Sequence, residues 1–190
     1  MEGKEEGNGI NVTTKNITYC TSGMYENALA TAGIKDADII VAGPFNISGT
    51  AALVGAIKSY ENMTGEAVKT ENVETATNEL VVTGKVAESV GDTDKAEQLI
   101  GAVKEQVVEG HAVTAEEIGE VVDKAAQEMS IQLSEEDRQA IVKLMEKIDN
   151  LNLDVDTLKE QAKDLYGKIE DLGLKLDINN CLLYTSDAAD

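Results

Sequence analysis

The sequence predicts an α+β fold that is mostly helical, with a small βαβα layer followed by a region of four or five helices. Two observations carry this prediction. Within residues 10–64 the order strand, turn, Ser-Gly, helix occurs twice, and that order implies parallel strands joined by a helical crossover. After residue 65, helix-forming residues dominate and apolar residues recur at spacings of three and four, which is the period of an amphipathic helix.

The first unit begins with a strand predicted over 10–21, where β-branched residues partly alternate with polar ones. The same pattern also allows two strands with a kink near Lys15. A helix follows from Met24, and Gly33 stands where a C-cap belongs. The short apolar run 38–43 predicts a second strand, covered on both faces and broken by Pro44. A second helix begins after Ser-Gly-Thr, and its predicted apolar side consists of Leu53, Ala56, Ile57 and Tyr60.

The later helices have clear N-terminal signals. Thr114 with Glu117 has the pattern of a capping box, and Ser134 with Asp137 has a weaker form of it. The predicted helices cover 66–80 or slightly beyond, 94–108, 115–129, 135–149 and 155–176.

An apolar series runs through the last two helices with alternating spacings of three and four. Its members are Ile141, Leu144, Ile148, Leu151, Val155, Leu158, Ala162, Leu165, Ile169, Leu172 and Leu176. One interpretation is a single long helix over 141–176 that self-associates with a partner chain as a coiled coil. The other is two helices broken within 150–154, because Asn and Asp favour caps over helix interiors. The sequence favours the break.

The charge balance excludes some classes of partner. The 190 residues include 36 acidic and 16 basic ones, for a net charge of −20. Nucleic acid is disfavoured because phosphate binding needs a Lys/Arg footprint, and so is an anionic membrane surface. No apolar run approaches the ~20 residues of a transmembrane span. Residues 66–180 hold 27 acidic and 12 basic residues, which is −15 of the total.

The best candidate for a binding site is the pair of Ser-Gly helix starts. Ser22-Gly23 and Ser48-Gly49-Thr50 are expected at the C-terminal ends of neighbouring parallel strands, where open α/β sheets place ligands. Free N–H groups and the helix dipole there attract phosphate or carboxylate, so a small anion or metabolite is the predicted ligand. The simpler interpretation, which the sequence favours, is N-capping by the two serines.

Other motifs give no site. The two cysteines (Cys20, Cys181) form no disulfide framework, and with the single His111 a His-based metal site or triad would rest on one residue. Residues 150–156 alternate oxygen-bearing side chains but lack the Gly and Glu of a calcium loop. Acidic clusters at 116–120 and 135–137 are expected to be solvated helix faces. We therefore predict no catalytic residue, no metal and no cofactor.

Two segments carry a family resemblance: NITYCTSGMYENALATAGIKDADIIVAGPFNISGTAALVGAIKSYENMTGE and NELVVTG. Their motifs SGTAAL and ELVVTG resemble the bacterial family called domain of unknown function 1002. IQLSEEDRQAIVKLMEKIDNLNLDVDTLKEQAKDLYGKIEDL resembles its closing part. The resemblance implies a longer protein that Gram-positive bacteria export through an N-terminal signal. It implies no activity, cofactor or site residue.

The resemblance also suggests how the chain is organised. Residues 1–9 are expected to be a disordered start within a truncated hairpin loop, so that the partner strand of 10–20 lies upstream. The order of elements and the shift in composition predict a βαβα module over 10–64 and an acidic helical region over 65–180. Residues 181–190, which do not resemble the family, are expected to be a non-native tail.

The sequence and the resemblance together allow three functions. The first is a non-catalytic binding or structural protein of the cell envelope or extracellular space, which binds a protein or envelope partner through its acidic helices. The second is small-anion or metabolite binding at Ser22, Gly23, Ser48, Gly49 and Thr50. The third, an enzyme, requires acids or bases from the upstream part, so the sequence favours a protein without catalytic activity.

Overall fold

A computed structural model of the chain describes residues 1–3, 9–110, 114–151, 153–156 and 158–159. It confirms a mostly helical α+β fold. The described elements are β1 (Glu2–Gly3), β2 (Ile10–Ile17), α1 (Ser22–Thr31), β3 (Ala37–Ile47), α2 (Ala52–Thr64), α3 (Thr70–Val90), α4 (Thr93–Gly110), α5 (Ala115–Glu128) and α6 (Glu135–Asp149).

The sheet has three strands in the order β1-β3-β2. β2 and β3 are parallel and are joined through α1, with Ile10 opposite Ala37, so the predicted βαβ unit is confirmed. β1 is antiparallel to β3, with Glu2 opposite Asp38. The sequence predicts a disordered hairpin loop over 1–9, but Glu2–Gly3 form a strand that pairs with β3 and not with β2.

β3 continues through Pro44, where the sequence predicts a break. Lys15 lies opposite Ala42 while Ile17 lies opposite Ile47, so the pairing shifts between them and β3 carries the extra residues. Asn16 has a positive φ of 58° at this bulge. Pro44 is tolerated here because a bulge already interrupts the ladder in which its missing N–H would take part.

The sheet is covered on one face, which corrects the prediction that β3 is covered on both. Burial alternates along β3 as far as Pro44: Ile39 and Val41 are buried, whereas Ile40 is 73% exposed. Phe45, in the irregular stretch after Pro44, is 69% exposed. The continuous apolar run is misleading because apolar residues also occupy the face that α1 does not cover. This face therefore presents apolar side chains to solvent.

α1 lies at the centre of the molecule. Nine of its ten residues are buried, because it packs against β2 on one side and against α3 and α4 on the other. One continuous hydrophobic cluster includes side chains from Ile10 to Leu158. The predicted apolar side of α2 is largely confirmed, since Leu53, Ala56 and Ile57 are buried. The βαβα module and the helical region therefore share a core.

A buried ion pair holds α1, α3 and α4 together. The Lys104 Nζ donates to Glu79 Oε1 at 2.8 Å, to the Asn27 carbonyl at 2.8 Å and to Thr31 Oγ1 at 3.1 Å. The Thr31 hydroxyl in turn donates to Glu79 Oε2 at 2.5 Å. The side chains of Lys104 and Glu79 are 3% and 0% exposed. All three donors of the ammonium are thus satisfied inside the core.

The helix break near residue 150 is confirmed, since α6 ends at Asp149 with Asn150 as its C-cap. Ile141, Leu144 and Ile148 are fully buried in the chain's own core. The first part of the apolar series therefore packs within the chain, and coiled-coil self-association over 141–176 stays a prediction. The rest of the series, from residue 160 onward, lies outside the described residues.

The predicted helix starts are confirmed at two positions. Thr114 and Glu117 form the full capping box of α5, and the Ser134 side chain accepts from the Asp137 amide at the start of α6. α3 begins at Thr70 and continues to Val90, further than the sequence predicts. Within the described ranges, no helix combines the length and hydropathy needed to cross a bilayer.

We expect Lys104→Met to lower the free energy of unfolding by about 3–5 kcal/mol, because it leaves the Glu79 carboxylate buried without its counter-ion. Urea denaturation followed by circular dichroism measures this change. The double variant Lys104→Met/Glu79→Leu should recover more than half of the loss. Lys58→Met, which removes the exposed Lys58–Glu61 pair, should change stability little. Equal losses in the Lys104 and Lys58 variants would contradict the role of the buried pair.

Candidate functional site

The first Ser-Gly segment opens α1, but Ser22 does not cap it. Thr21 is the N-cap residue, and its side chain accepts a hydrogen bond from the Met24 amide at 3.2 Å. The same hydroxyl donates to Glu97 Oε1 on α4. Ser22 is instead the first residue of the helix, and Gly23 is buried. The sequence pattern missed Thr21 because Thr and Ser are adjacent here and both favour N-caps.

The second Ser-Gly segment does not cap α2 either. α2 begins at Ala52, and its N-cap Ala51 makes no side-chain hydrogen bond. Gly49 has a φ of +91°, and a Cβ built there would lie 2.4 Å from the Tyr25 hydroxyl oxygen. Its carbonyl accepts from the Tyr25 hydroxyl at 2.6 Å. Gly49 therefore serves a close approach between α1 and the end of β3.

The structure brings the two segments together, at the C-terminal ends of β2 and β3 as the sequence predicts. The Cys20 amide donates to the Ser48 carbonyl at 3.1 Å. The Cys20 Sγ lies 4.0 Å from Thr50 Oγ1. These contacts are internal to the protein, so they account for the proximity of the segments without a ligand. That the five residues bind one stays a prediction.

A cleft of about 370 Å³ lies beside the first segment alone. Its lining residues are Thr14, Ile17, Thr18, Tyr19, Cys20, Thr21, Ser22, Gly23, Asp94 and Glu97. Ser48, Gly49 and Thr50 do not line it. The hydroxyl groups suit a polar ligand, whereas the carboxylates of Asp94 and Glu97 repel an anion. This cleft is therefore better suited to a neutral or cationic group than to phosphate.

Cys20 and Tyr25 both contact the second Ser-Gly segment, at Thr50 and Gly49 respectively. Burial raises the pKa of the Cys20 thiol, which is only 2% exposed. Burial also raises the pKa of Tyr25, and the neighbouring Cys20 adds to that effect. Both groups therefore stay protonated at neutral pH. A protonated, buried thiol is a poor nucleophile, which favours a structural role for Cys20.

In the segment after α6, Asp154 makes a local hydrogen bond and an ion pair with a distant residue. Asp154 Oδ1 accepts from the Asp156 amide at 3.0 Å, and Asp154 Oδ2 pairs with Lys35 at 2.5 Å. Asn152 and His111 lie outside the described residues. Within the described ranges, no group of three or more His, Cys, Asp and Glu side chains is placed to hold a metal ion.

The acidic face expected at 135–137 is only partly solvated. Asp137 is 9% exposed and accepts from Ser89 Oγ at 2.7 Å and from Ser134 Oγ at 2.6 Å. It therefore connects α6 to α3. On α5, by contrast, all five acidic residues are exposed and the helix carries one basic residue, Lys124.

Comparison with known proteins gives one family. The model of the proteins of unknown function named DUF1002 matches residues 1–165. This chain belongs to the DUF1002 family. A relative, the uncharacterized protein YpuA of Bacillus subtilis (strain 168), is 37% identical over 166 residues, which are 87% of this chain and 57% of YpuA. The chain thus spans a little over half the length of this relative. No solved structure matches it.

We expect the DUF1002 chain not to bind sulfate at α1. Titration to millimolar sulfate should leave the amide resonances of Ser22 and Gly23 unmoved, because Asp94 and Glu97 face the same cleft. The amides of Gly49 and Thr50 should also stay in place. Two-dimensional NMR spectra measure these shifts. Joint saturable movement of the four amides would contradict this expectation and support anion binding.

We expect Gly49→Ala to destabilise the protein by about 1–3 kcal/mol, because a side chain at positive φ is strained and this one also meets Tyr25. Thermal unfolding measures the loss. The matched control is Gly55→Ala in α2, where a Cβ meets nothing within 4 Å. That change should be neutral or stabilising, since Ala is the better helix former. Equal effects of the two substitutions would show that the contact with Tyr25 is unimportant.

Proposed function

We propose that this DUF1002 protein is a non-catalytic binding or structural component of the bacterial cell envelope, and that it binds a positively charged partner through α5. The observation that supports this most directly is the distribution of charge on α5. Glu116, Glu117, Glu120, Asp123 and Glu128 are all exposed. Five carboxylates on a helix of 14 residues give a local negative potential that attracts cations and repels anions.

One carboxylate of α5 is held in place by a residue of α6. Asp123 receives two hydrogen bonds from Arg138 on α6, from Nε at 2.6 Å and from Nη2 at 2.8 Å. These bonds lower the pKa of Asp123, so its carboxylate remains ionised in mildly acidic surroundings. Glu116 and Glu120 are one turn apart, and Asp123 follows three residues later on the same face. Arg138 offsets part of the charge of Asp123, so Glu116 and Glu120 are the carboxylates of this face on which the attraction depends most.

The envelope location is supported by resemblance to exported proteins and by the charge. A protein with a net charge of −20 repels nucleic acid and bare anionic lipid. Basic proteins and cationic groups of the envelope are then the favoured partners. Anion binding at the Ser-Gly segments has weaker support, because two carboxylates share the cleft with Ser22 and Gly23.

The binding proposal is tested with a Lys-rich peptide and two variants of equal charge. Replacing Glu116, Glu120 and Glu128 by Gln removes three exposed charges from α5. Replacing Glu66, Glu71 and Glu74 by Gln removes three from the segment around the start of α3. We expect the α5 variant to bind about ten-fold more weakly than the α3 variant, by fluorescence anisotropy at low salt. Equal losses would mean that only total charge matters and would contradict a role for α5.

The location is tested separately by fractionation of cells that express the tagged protein from its own gene. We expect the tag in the envelope or medium fraction, with a cytosolic marker absent from both. A tag found with the cytosolic marker would contradict the envelope proposal. It would leave the result of the peptide experiment unaffected, so the two parts of the proposal can fail independently.

A further inference from the structure

The two outer edges of the sheet differ in how they are protected. On the outer side of β2 the Val12 amide donates to Glu26 Oε1 at 3.1 Å, and Glu26 is 3% exposed. The exposed Lys15 lies further along the same strand. A buried carboxylate on the edge amide and a lysine are features that prevent another strand from adding to an edge. The β2 edge is therefore blocked.

Among the described residues, none gives the outer edge of β3 beyond Asp38 such protection. The Ala37 amide donates to the Gly9 carbonyl at 3.1 Å, so it points toward β2. Because backbone groups alternate along a strand, the amides and carbonyls of Ile40 and Ala42 point away from β2. β1 pairs only with Ala37 and Asp38. Beyond Asp38, this edge has no strand partner among the described residues.

The sequence of β3 also differs from that of a protected edge. From Ile39 to Ile47 it contains no charged residue. Ile40 is 73% exposed on the uncovered face of the sheet. Natural proteins place charges on long exposed edges because bare ones recruit other strands. An uncharged, β-branched edge is instead typical of a strand that is paired.

We propose that β3 from Ile39 to Gly43 is a docking site for one further antiparallel strand, which continues β1 on its N-terminal side. The register of β1 supports this occupant. Glu2 lies opposite Asp38 in an antiparallel pair, so a residue preceding Met1 lies opposite Ile40 when the strand continues. Met1 is already partly buried against the core. Gly43 ends the site because the bulge begins there.

The chemistry of this occupant follows from the edge. Main-chain hydrogen bonds supply the attraction, and a β-branched or apolar side chain beside Ile40 covers exposed apolar surface. YpuA has residues beyond those that align with this chain, which covers 57% of it. Such additional residues are one source of a strand within the same polypeptide.

The test compares the chain with a version that carries about six additional residues before Met1, alternating Thr and Val, which is a typical strand length. Amide hydrogen exchange is measured by NMR. We expect exchange at Ile40 and Ala42 to slow at least about ten-fold in the extended chain. Exchange at Thr14, on the blocked β2 edge, should not change. Unchanged exchange at Leu99 in the core shows that the fold is intact.

Three variants sharpen the result. An extension of the same length with Pro in place of Val should give no protection, because Pro has no amide to donate. Ile40→Lys should abolish the protection in the extended chain. Thr13→Lys, at the exposed position of β2 that lies opposite Ile40, should leave the protection in the extended chain unchanged.

Two outcomes would overturn the proposal. The first is unchanged exchange at Ile40 and Ala42 in the extended chain, or protection on β2 instead. The second is protection of Ile40 and Ala42 that is already present in the original chain and increases with protein concentration. That result, with a dimer in sedimentation velocity, would identify a second copy as the occupant.

Discussion

The buried ammonium of Lys104 is the interaction on which the arrangement of the helices depends. It reaches from α4 to backbone and hydroxyl oxygens of α1 and to a carboxylate of α3. An unpaired charge in the core costs several kcal/mol, so displacing any of these helices is penalised strongly. Because α1 also packs against β2, the same contacts fix the sheet relative to the helices.

The polar network continues from the core to the cleft. The Asn27 side-chain amide donates to the Glu97 carbonyl at 3.1 Å, and the Glu97 carboxylate accepts from the Thr21 hydroxyl at the N-terminus of α1. A negative charge beside a helix N-terminus is stabilising. Here the protein supplies that charge itself. At the N-terminus of α1, where the sequence suggests that an external anion binds, the carboxylate of Glu97 is thus already present.

Much of the helical architecture could be predicted because its signals are local. The capping residues and the apolar period predict the first and last residues of α5 and α6 to within one residue. The pairing of Lys104 with Glu79 could not be predicted, although each residue lies three or four positions from apolar residues of its own helix. A charged residue in phase with an apolar stripe is a usable signal, but it names no partner. Which carboxylate meets which ammonium depends on how the helices pack.

Prediction from the sequence has the same limit for the sheet. Parallel pairing of β2 and β3 follows from the order of the elements, whereas the side that α1 covers does not. The alternation is invisible in β3 because Ile39, Ile40 and Val41 are all apolar. Likewise Thr21, Ser22 and Ser48 have similar capping chemistry. Only the three-dimensional contacts of Thr21 with Met24 and Glu97 separate the capping residue from the others.

The charge distribution bears on what can pair with β3. A second copy of the chain brings another −20 of net charge, and the resulting repulsion extends over the Debye length of about 10 Å at 0.1 M salt. A strand attached to β1 is part of the same polypeptide, so it adds no second acidic body. Its effective concentration at the edge is in the millimolar range for a short connection. The acidic helices thus disfavour pairing between molecules while leaving pairing within one chain unopposed. An uncharged edge can therefore persist in so acidic a protein without promoting aggregation.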